Sequence, residues 1–560
     1  MNDIQKRAKE LSLNFLENEK QYRLGFVDAE KSNPLTKNLG ETFVADTTAG
    51  VKMLLSVDKA LISPLTDAVF SNEFSEFYSD VIGTLKGGGR IIISGCGSTG
   101  RLAMRIEASW RQAIAAILDK APELSEYADR IIEVMTGGDF AVIRSVESFE
   151  DYAVLGAMQV RELGITDKDL LIGVTATAET TSILGSAKEA LALGARVWMI
   201  VCTDPALVRK RLARAEEVFS NERTKSIYIK CGPFAVSGSS RMQSSTSEQL
   251  IISLALEAAL SELMGERVSL RERQEDFILG FKECIALLTD EKSIALMSEA
   301  VDKESELYGH GGYVTYFADD YILDVLTDTT ERSPTFTTPP FRPQKRKGET
   351  LSWAFVKNPS LKTPDAWDAC FARTPRCIDK THEEYLALGV KSDDVKRIPK
   401  ISLDAILEYE IGQECDSERE GEGNLAVWID FIKSPKPEYF EASKRYGESL
   451  ELVLSQDREF PYATRLMIFE HIAVKLMLNT LSTGTMAKMG RVRGNYMVHL
   501  NISNKKLIDR ATRIISELAG VSYEEANYEL FLTKLDFDAR GVDKSTTIAT
   551  LERLTNKKEG

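Results

Sequence analysis

Glycines at 95, 97 and 100 bracket the hydroxyls of Ser98 and Thr99 in the run Arg90-Ile91-Ile92-Ile93-Ser94-Gly95-Cys96-Gly97-Ser98-Thr99-Gly100-Arg101-Leu102. These residue types at this spacing suit an anion. Glycine permits backbone torsions and close approaches that a Cβ would block. Hydroxyls beside the free N–H groups that open a helix, where the dipole favours negative charge, make a phosphate cradle. No Gly-Lys-Ser/Thr follows, so the turn is not a nucleoside-triphosphate loop. It matches G-x-G-x-x-G by letter but lacks the acidic residue on a second strand that dinucleotide binding uses. The hydroxyl pair points to a phosphomonoester instead of a pyrophosphate.

The elements that must position this turn follow from the flanking pattern. Arg90 to Ser94 reads as a buried parallel strand and 102–118 as the helix after it. The rhythm of strand, turn and helix repeats: Ile131 to Met135 before Gly137-Gly138, Leu170 to Val174 before a helix over 182–193, then Arg196 to Cys202 and Ser226 to Ile229. Apolar strands alternating with helices predict an α/β fold with a parallel sheet covered on both faces. Ligands of such sheets sit beyond the carboxyl ends of strands, where the turns after Ser94 and Val174 lie.

Residues 1 to 85 read as helical, broken at Asn33-Pro34, and long helices are expected over 246–263 and 275–288. Strand texture returns at Gly312 to Phe317, followed by a helix over 321–327. Gly311-Gly312-Tyr313 aligns with Gly88-Gly89-Arg90, which suggests an internal duplication. Its second copy carries Ala318-Asp319-Asp320-Tyr321 where the cradle stood, and two carboxylates repel a phosphate. The charged stretch 414–423 is predicted to be a solvated loop, ahead of a strand over 425–429. The last 90 or so residues read as helices, including 510–518 and 523–531.

With 560 residues the chain exceeds one core and should hold two large domains plus helical additions. A net charge of −15 argues against nucleic acid or an anionic membrane as partner, so any phosphate it binds is small and locally held. The seven cysteines form no C-x-x-C pair and His310, His382, His471 and His499 are scattered, so no metal and no cofactor are expected. A polar N-terminus and the lack of any run of about 18 apolar residues predict a soluble cytoplasmic protein.

Several segments together resemble the sugar isomerase (SIS) superfamily, in the group of N-acetylmuramic acid 6-phosphate etherases and glucokinase regulatory proteins. Glu30 to Leu39 is similar to the family's N-terminal signature, and Gly95 to Leu102 to its phosphate loop. Gly137-Gly138-Asp139 with Ser145 to Asp151 resembles its Gly-Gly and Glu-x-x-Glu-Asp segment. Gly232 to Met242 resembles its second Ser-rich loop, and Leu478 to Gly484 with Gly490-Arg491-Val492 and Asn495 its C-terminal block. Asp328-Thr329-Thr330-Glu331-Arg332-Ser333-Pro334 is similar to the etherase segment that supplies a catalytic acid, but it lies in the second copy. The first copy has Trp110 there.

The resemblance implies two tandem SIS domains, flavodoxin-like three-layer αβα units with parallel sheets, in the two-unit layout of the glucokinase regulatory protein. Expected limits are 1–50 for an N-terminal helical segment, 51–288 and 289–465 for the SIS domains, and 466–560 for a helical cap. It implies one composite site: phosphate on Gly97, Ser98, Thr99 and Gly100, with Glu150 and Glu331 facing the sugar. Thr175, Thr177, Ser239, Ser240 and Arg491 are the further ligand contacts carried over. Gln243 and Glu179 depart from the family by removing positive charge.

The implied function is binding of a hexose or ketose phosphate, with a sugar kinase as protein partner, in a monomer that is a pseudo-dimer of SIS domains or in a homodimer. The alternative is etherase-type elimination of lactate from N-acetylmuramic acid 6-phosphate, with Glu150 and Glu331 as acid and base. An aldose-ketose isomerase ranks below both.

Overall fold

The computed structural model describes residues 3–144, 146–455, 460–502, 504–542 and 544–559. Ser145, part of the Glu-x-x-Glu-Asp segment, lies outside them. Five strands, β1 (Ile91–Gly95), β2 (Ile131–Met135), β3 (Leu170–Val174), β4 (Arg196–Val201) and β5 (Thr224–Tyr228), form a parallel sheet in the order β2-β1-β3-β4-β5. β1, β2 and β3 are buried at every position, as strands covered on both faces must be. β5 closes the edge and exposes Lys225.

The second sheet is also parallel: β6 (Val314–Phe317), β7 (Ala354–Lys357), β8 (Gly421–Asp430) and β9 (Tyr446–Val453), ordered β7-β6-β8-β9. Taken from each copy's first strand, both sheets follow the same path: the second strand to one side, the third and fourth to the other. The two sheets are consistent with tandem SIS domains, and the shared winding is what an internal duplication would give.

Three expectations need correction. The helix after β1, here α1, spans Ser98–Ile117, so it starts four residues early and the cradle hydroxyls sit inside its first turn. Gly97, at φ 56°, makes the turn, and Thr99 Oγ1 accepts from the Cys96 N–H at 3.0 Å, standing in for a cap. The helix after β6 runs Ile322–Phe336, well past Thr327; with Gln243–Leu263 as α2, it is α3. It carries Glu331 and Pro334, and ends where Thr337 turns left-handed at φ 54°. The stretch 414–423 is not simply solvated: Asp416 and Arg419 are buried, Glu414 accepts from the Thr363 N–H at 2.9 Å, and β8 begins at Gly421.

Several helices, α3 among them, pack on α4 (Ile468–Lys488), which is followed by α5 (Lys505–Ala519), Tyr523–Arg540 and Thr546–Glu559. The first helix, Asp3–Asn18, packs on Tyr523–Arg540, with Phe15 edge-on to Phe531 and Ser12 Oγ donating to Asn527 Oδ1 at 2.7 Å. A cluster of side-chain ion pairs joins the halves of the chain: Arg373 reaches Glu107 at 3.0 Å, Glu133 at 2.8 Å and Asp139. No helix among the described residues is long and apolar enough to cross a membrane.

The loop glycines are sterically fixed. A Cβ on Gly95 would lie 2.4 Å from the Thr99 carbonyl and 2.5 Å from the Gly100 nitrogen, all backbone. Gly95→Ala is therefore expected to cost about 1–3 kcal/mol of stability by urea unfolding, since the first turn of α1 must shift to admit the methyl. Unchanged unfolding would mean that this turn is not built as described.

Candidate functional site

A cavity of about 170 Å³ opens at the carboxyl end of the first sheet. Its floor is the cradle: Cys96, Gly97, Ser98 and Thr99 from the β1–α1 turn, with Thr136 beyond β2 and Thr175, Thr177 and Thr180 beyond β3. The Ser-rich loop before α2 adds Gly238, Ser239, Ser240 and Arg241. Ser98 Oγ and Ser240 Oγ stand 2.7 Å apart, so the two loops meet at the point where a phosphate would be held. Thr175 and Thr180 share a hydrogen bond at 2.9 Å, and Thr177 Oγ1 donates to Glu179 at 3.1 Å.

Glu150, from the first domain, and Glu331, from α3 of the second, line this same cavity. Each faces a cation. Lys506 of α5 stands 3.3 Å from Glu150 and 3.2 Å from Glu179, and the buried guanidinium of Arg101 pairs with Glu331. The cavity thus draws its walls from both sheets' domains and from the cap.

Not every expected residue arrives there. Gly100 lies behind the cradle, where a Cβ would strike Met135 Sδ, and serves packing instead of contact. Arg491 does not line the cavity: it donates to the carbonyls of Phe336 and Thr337 at 3.1 Å for the latter, with its guanidinium 4.6 Å above the Trp353 ring. It caps α3, a correction to its place beside the phosphate. Trp110 is buried, its indole N–H donating to the Tyr127 carbonyl at 2.7 Å. Gln243 ties the Ser-rich loop together, accepting from Ala235 N–H at 2.7 Å.

Three further cavity residues were not singled out from sequence: Glu30 as a wall residue, and Lys506 and Arg510 from α5. Their spacing at i and i+4 puts the last two on one helix face, which is the only signal the sequence holds. Burial by itself would raise the pKa of Glu30, but the Arg510 and Arg513 guanidiniums hold it well below the usual carboxylate range. Glu179 is likewise lowered despite burial, by Lys506 and Arg214. Lys506, which burial would lower, is raised by Glu150 and Glu179. The charges of Lys506 and Arg510 are thus already matched by Glu150, Glu179 and Glu30, and a phosphate would be met chiefly by hydroxyls, loop N–H groups and the start of α1.

Two parallel α/β sheets, with a Gly/Ser/Thr turn at the first sheet's carboxyl edge, are consistent with a tandem SIS layout. Residues 73–191 match the model of the glucokinase regulatory protein N-terminal SIS domain. The chain is 26% identical over 243 residues to N-acetylmuramic acid 6-phosphate etherase 1 of Bacillus licheniformis, covering 43% of this chain and 70% of that one. It is 26% identical over 266 residues to the N-acetylmuramic acid 6-phosphate etherase of Photorhabdus laumondii, covering 46% and 80%. A solved tagatose-6-phosphate ketose/aldose isomerase from Escherichia coli aligns over 83% of this chain and 97% of its own at 11% identity, with a TM-score of 0.40. These likenesses support a place in the SIS superfamily, in the group of the etherases and the glucokinase regulatory protein.

Proposed function

We propose that the chain binds a phosphorylated sugar in this one composite cavity and that Glu150 and Glu331 serve there as the acid-base pair of an etherase-type elimination. The observation that carries this is the convergence of two carboxylates, one from each SIS domain, on a single cavity floored by the one intact cradle. The etherase relatives support the same chemistry. In this reading residues 51–288 hold the phosphate, 289–465 lend Glu331, and 466–560 with 1–50 cover the site.

The step needs two carboxyl groups in different states. One, ionised, takes the proton on the carbon next to the open-chain sugar's aldehyde, and that electron pair becomes a carbon–carbon double bond. The ether C–O bond breaks, its electrons leave on the lactate oxygen, and the protonated carboxyl gives that oxygen its proton. Water then adds across the double bond. The test is release of lactate from N-acetylmuramic acid 6-phosphate, expected at one per substrate consumed; no lactate under conditions where the substrate binds would overturn the elimination.

A second reading, regulator-like binding without turnover, is favoured by one feature: the cap residues Asn504, Lys506 and Arg510 form part of the cavity wall. A hexose or ketose phosphate held there contacts the cap directly and so biases its position, with a sugar kinase as the partner that senses it. Binding of fructose phosphates by calorimetry with no product formed would select this reading. The isomerase reading has no histidine among the described lining residues to support it.

A further inference from the structure

Beyond Glu331 the cavity continues into an inner recess of about 30 Å³ between α1, α2, α3 and α4. Ser98, Arg241 and Glu331 line both chambers; Arg101, Arg105 and Lys475 line only the inner one. Four cations (Arg101, Arg105, Arg241, Lys475) and three carboxylates (Asp324, Asp328, Glu331) line it, and the buried Asp58 acts on Lys475 from behind.

The pairing inside it is incomplete. Arg101 and Arg241 are 1% and 4% exposed, yet Arg101 Nε and Arg241 Nη1 have no hydrogen-bond partner. Arg105 stands 3.8 Å from Asp324, and Arg241 Nη2 3.4 Å from Asp328. The Lys475 ammonium donates to three neutral acceptors: the Arg241 carbonyl at 3.1 Å, Thr246 Oγ1 at 2.7 Å and Asn479 Oδ1 at 3.2 Å. Burial lowers the pKa of Arg105, Arg241 and Lys475 alike, against the opposing pull of Asp324, Asp328 and Asp58.

Unpaired buried N–H groups are costly, and an acceptor anion placed between the guanidiniums answers them. The space admits roughly two water molecules, which fits the three heavy atoms of a carboxylate and excludes a sugar ring. Planar guanidinium forks are the natural partners of that group.

We propose that this recess is a carboxylate subsite: it takes the carboxylate of an acidic ether substituent on the sugar, while the phosphate sits in the cradle and Glu331 stands between the two chambers. The identity of that substituent as lactyl rests on the etherase-type reading; the subsite itself does not. A ligand spanning both chambers would carry its scissile ether beside Glu331. A neutral hexose phosphate would leave the recess empty.

The test is calorimetry with D-lactate and its neutral analogue lactamide, each titrated into protein saturated with N-acetylglucosamine 6-phosphate, which has no carboxylate. Lactate is expected to bind about tenfold or more tighter than lactamide. Arg105→Gln, which removes a recess cation, and Ser245→Val, which fills the recess without touching a charge, should each weaken lactate by about tenfold and move the sugar-phosphate affinity by less than about twofold. Equal binding of lactamide, indifference to both variants, or competition between lactate and the sugar phosphate would each overturn the subsite. Should N-acetylglucosamine 6-phosphate fail to bind, the composite site is wrong, and the same lactate–lactamide contrast on the free protein still decides the recess. Lactate bound here without cleavage of N-acetylmuramic acid 6-phosphate upholds the subsite and rejects the elimination.

Discussion

Glu331→Gln is expected to lower lactate release from N-acetylmuramic acid 6-phosphate by about 10²- to 10⁴-fold, the range that one general acid or base supplies. The amide keeps the size of the side chain but neither gives nor takes a proton at the ether. The side chain is placed by α3, a helix of the second SIS domain, and held against Arg101 of α1 in the first. Arg101 has other anchors, its Nη2 donating to the Ala141 carbonyl at 3.2 Å, so the guanidinium stays in place when its counter-charge goes. Sugar-phosphate affinity should therefore fall far less than turnover, because the cradle hydroxyls and Ser240 are untouched. Glu150→Gln is the matched comparison: its partner Lys506 keeps Glu179 at 3.2 Å. Lactate assays on both variants, with calorimetry of N-acetylglucosamine 6-phosphate on each, separate the chemistry from binding. If Glu331→Gln turns over like the parent protein, the cross-domain carboxylate has no part in the reaction.

The first sheet was legible because most of its strands are short apolar runs, β1 and β2 closed by glycine, and their limits fall within about two residues of the expected ones. The second sheet was legible in part: β6 and β8 were expected, whereas β7, four residues from Ala354 to Lys357, offers too little periodicity to stand out, and β9 was not expected either. The helix expected over 321–327 runs on to Phe336, and Pro334 is tolerated near its end. The cradle and both glutamates were visible as motifs. What sequence hides is contact across long separations. Lys506 meets Glu150 over 356 positions, and nothing local to either residue announces it. Arg491 shows the converse error: a basic residue in a family block was assigned to the phosphate, whereas helix-end carbonyls claim it.

Replacing Glu30 by Gln should release the cap and cost about 3–5 kcal/mol, the usual loss when one member of a buried ion pair is removed. Glu30 is 1% exposed and accepts from Arg510 Nε at 3.0 Å and from Arg513. Its carbonyl also accepts from Arg513 Nη1 and Ser237 Oγ, both at 2.9 Å, and the neighbouring Ala29 carbonyl from Gly238 N–H at 2.8 Å. One short segment near the N-terminus thereby fastens α5 and the Ser-rich loop to each other. Gly238, at φ 76°, admits no Cβ there, since it would fall 2.3 Å from Arg510 Nε. Because the folded carboxyl titrates well below its unfolded value of about 4.3, its contribution is complete above that pH and is lost as the pH falls toward the folded value. The stability gap between the parent protein and Glu30→Gln should accordingly be widest near neutrality and close by about 1.4 kcal/mol for each pH unit below 4.3. Urea unfolding at pH 7, 4 and 3.5 measures it, and a gap that does not narrow in acid would mean that Glu30 is not the ionised anchor. Since Arg510 lines the cavity, the same variant should also weaken N-acetylglucosamine 6-phosphate binding, which ties the integrity of the cap to ligand affinity.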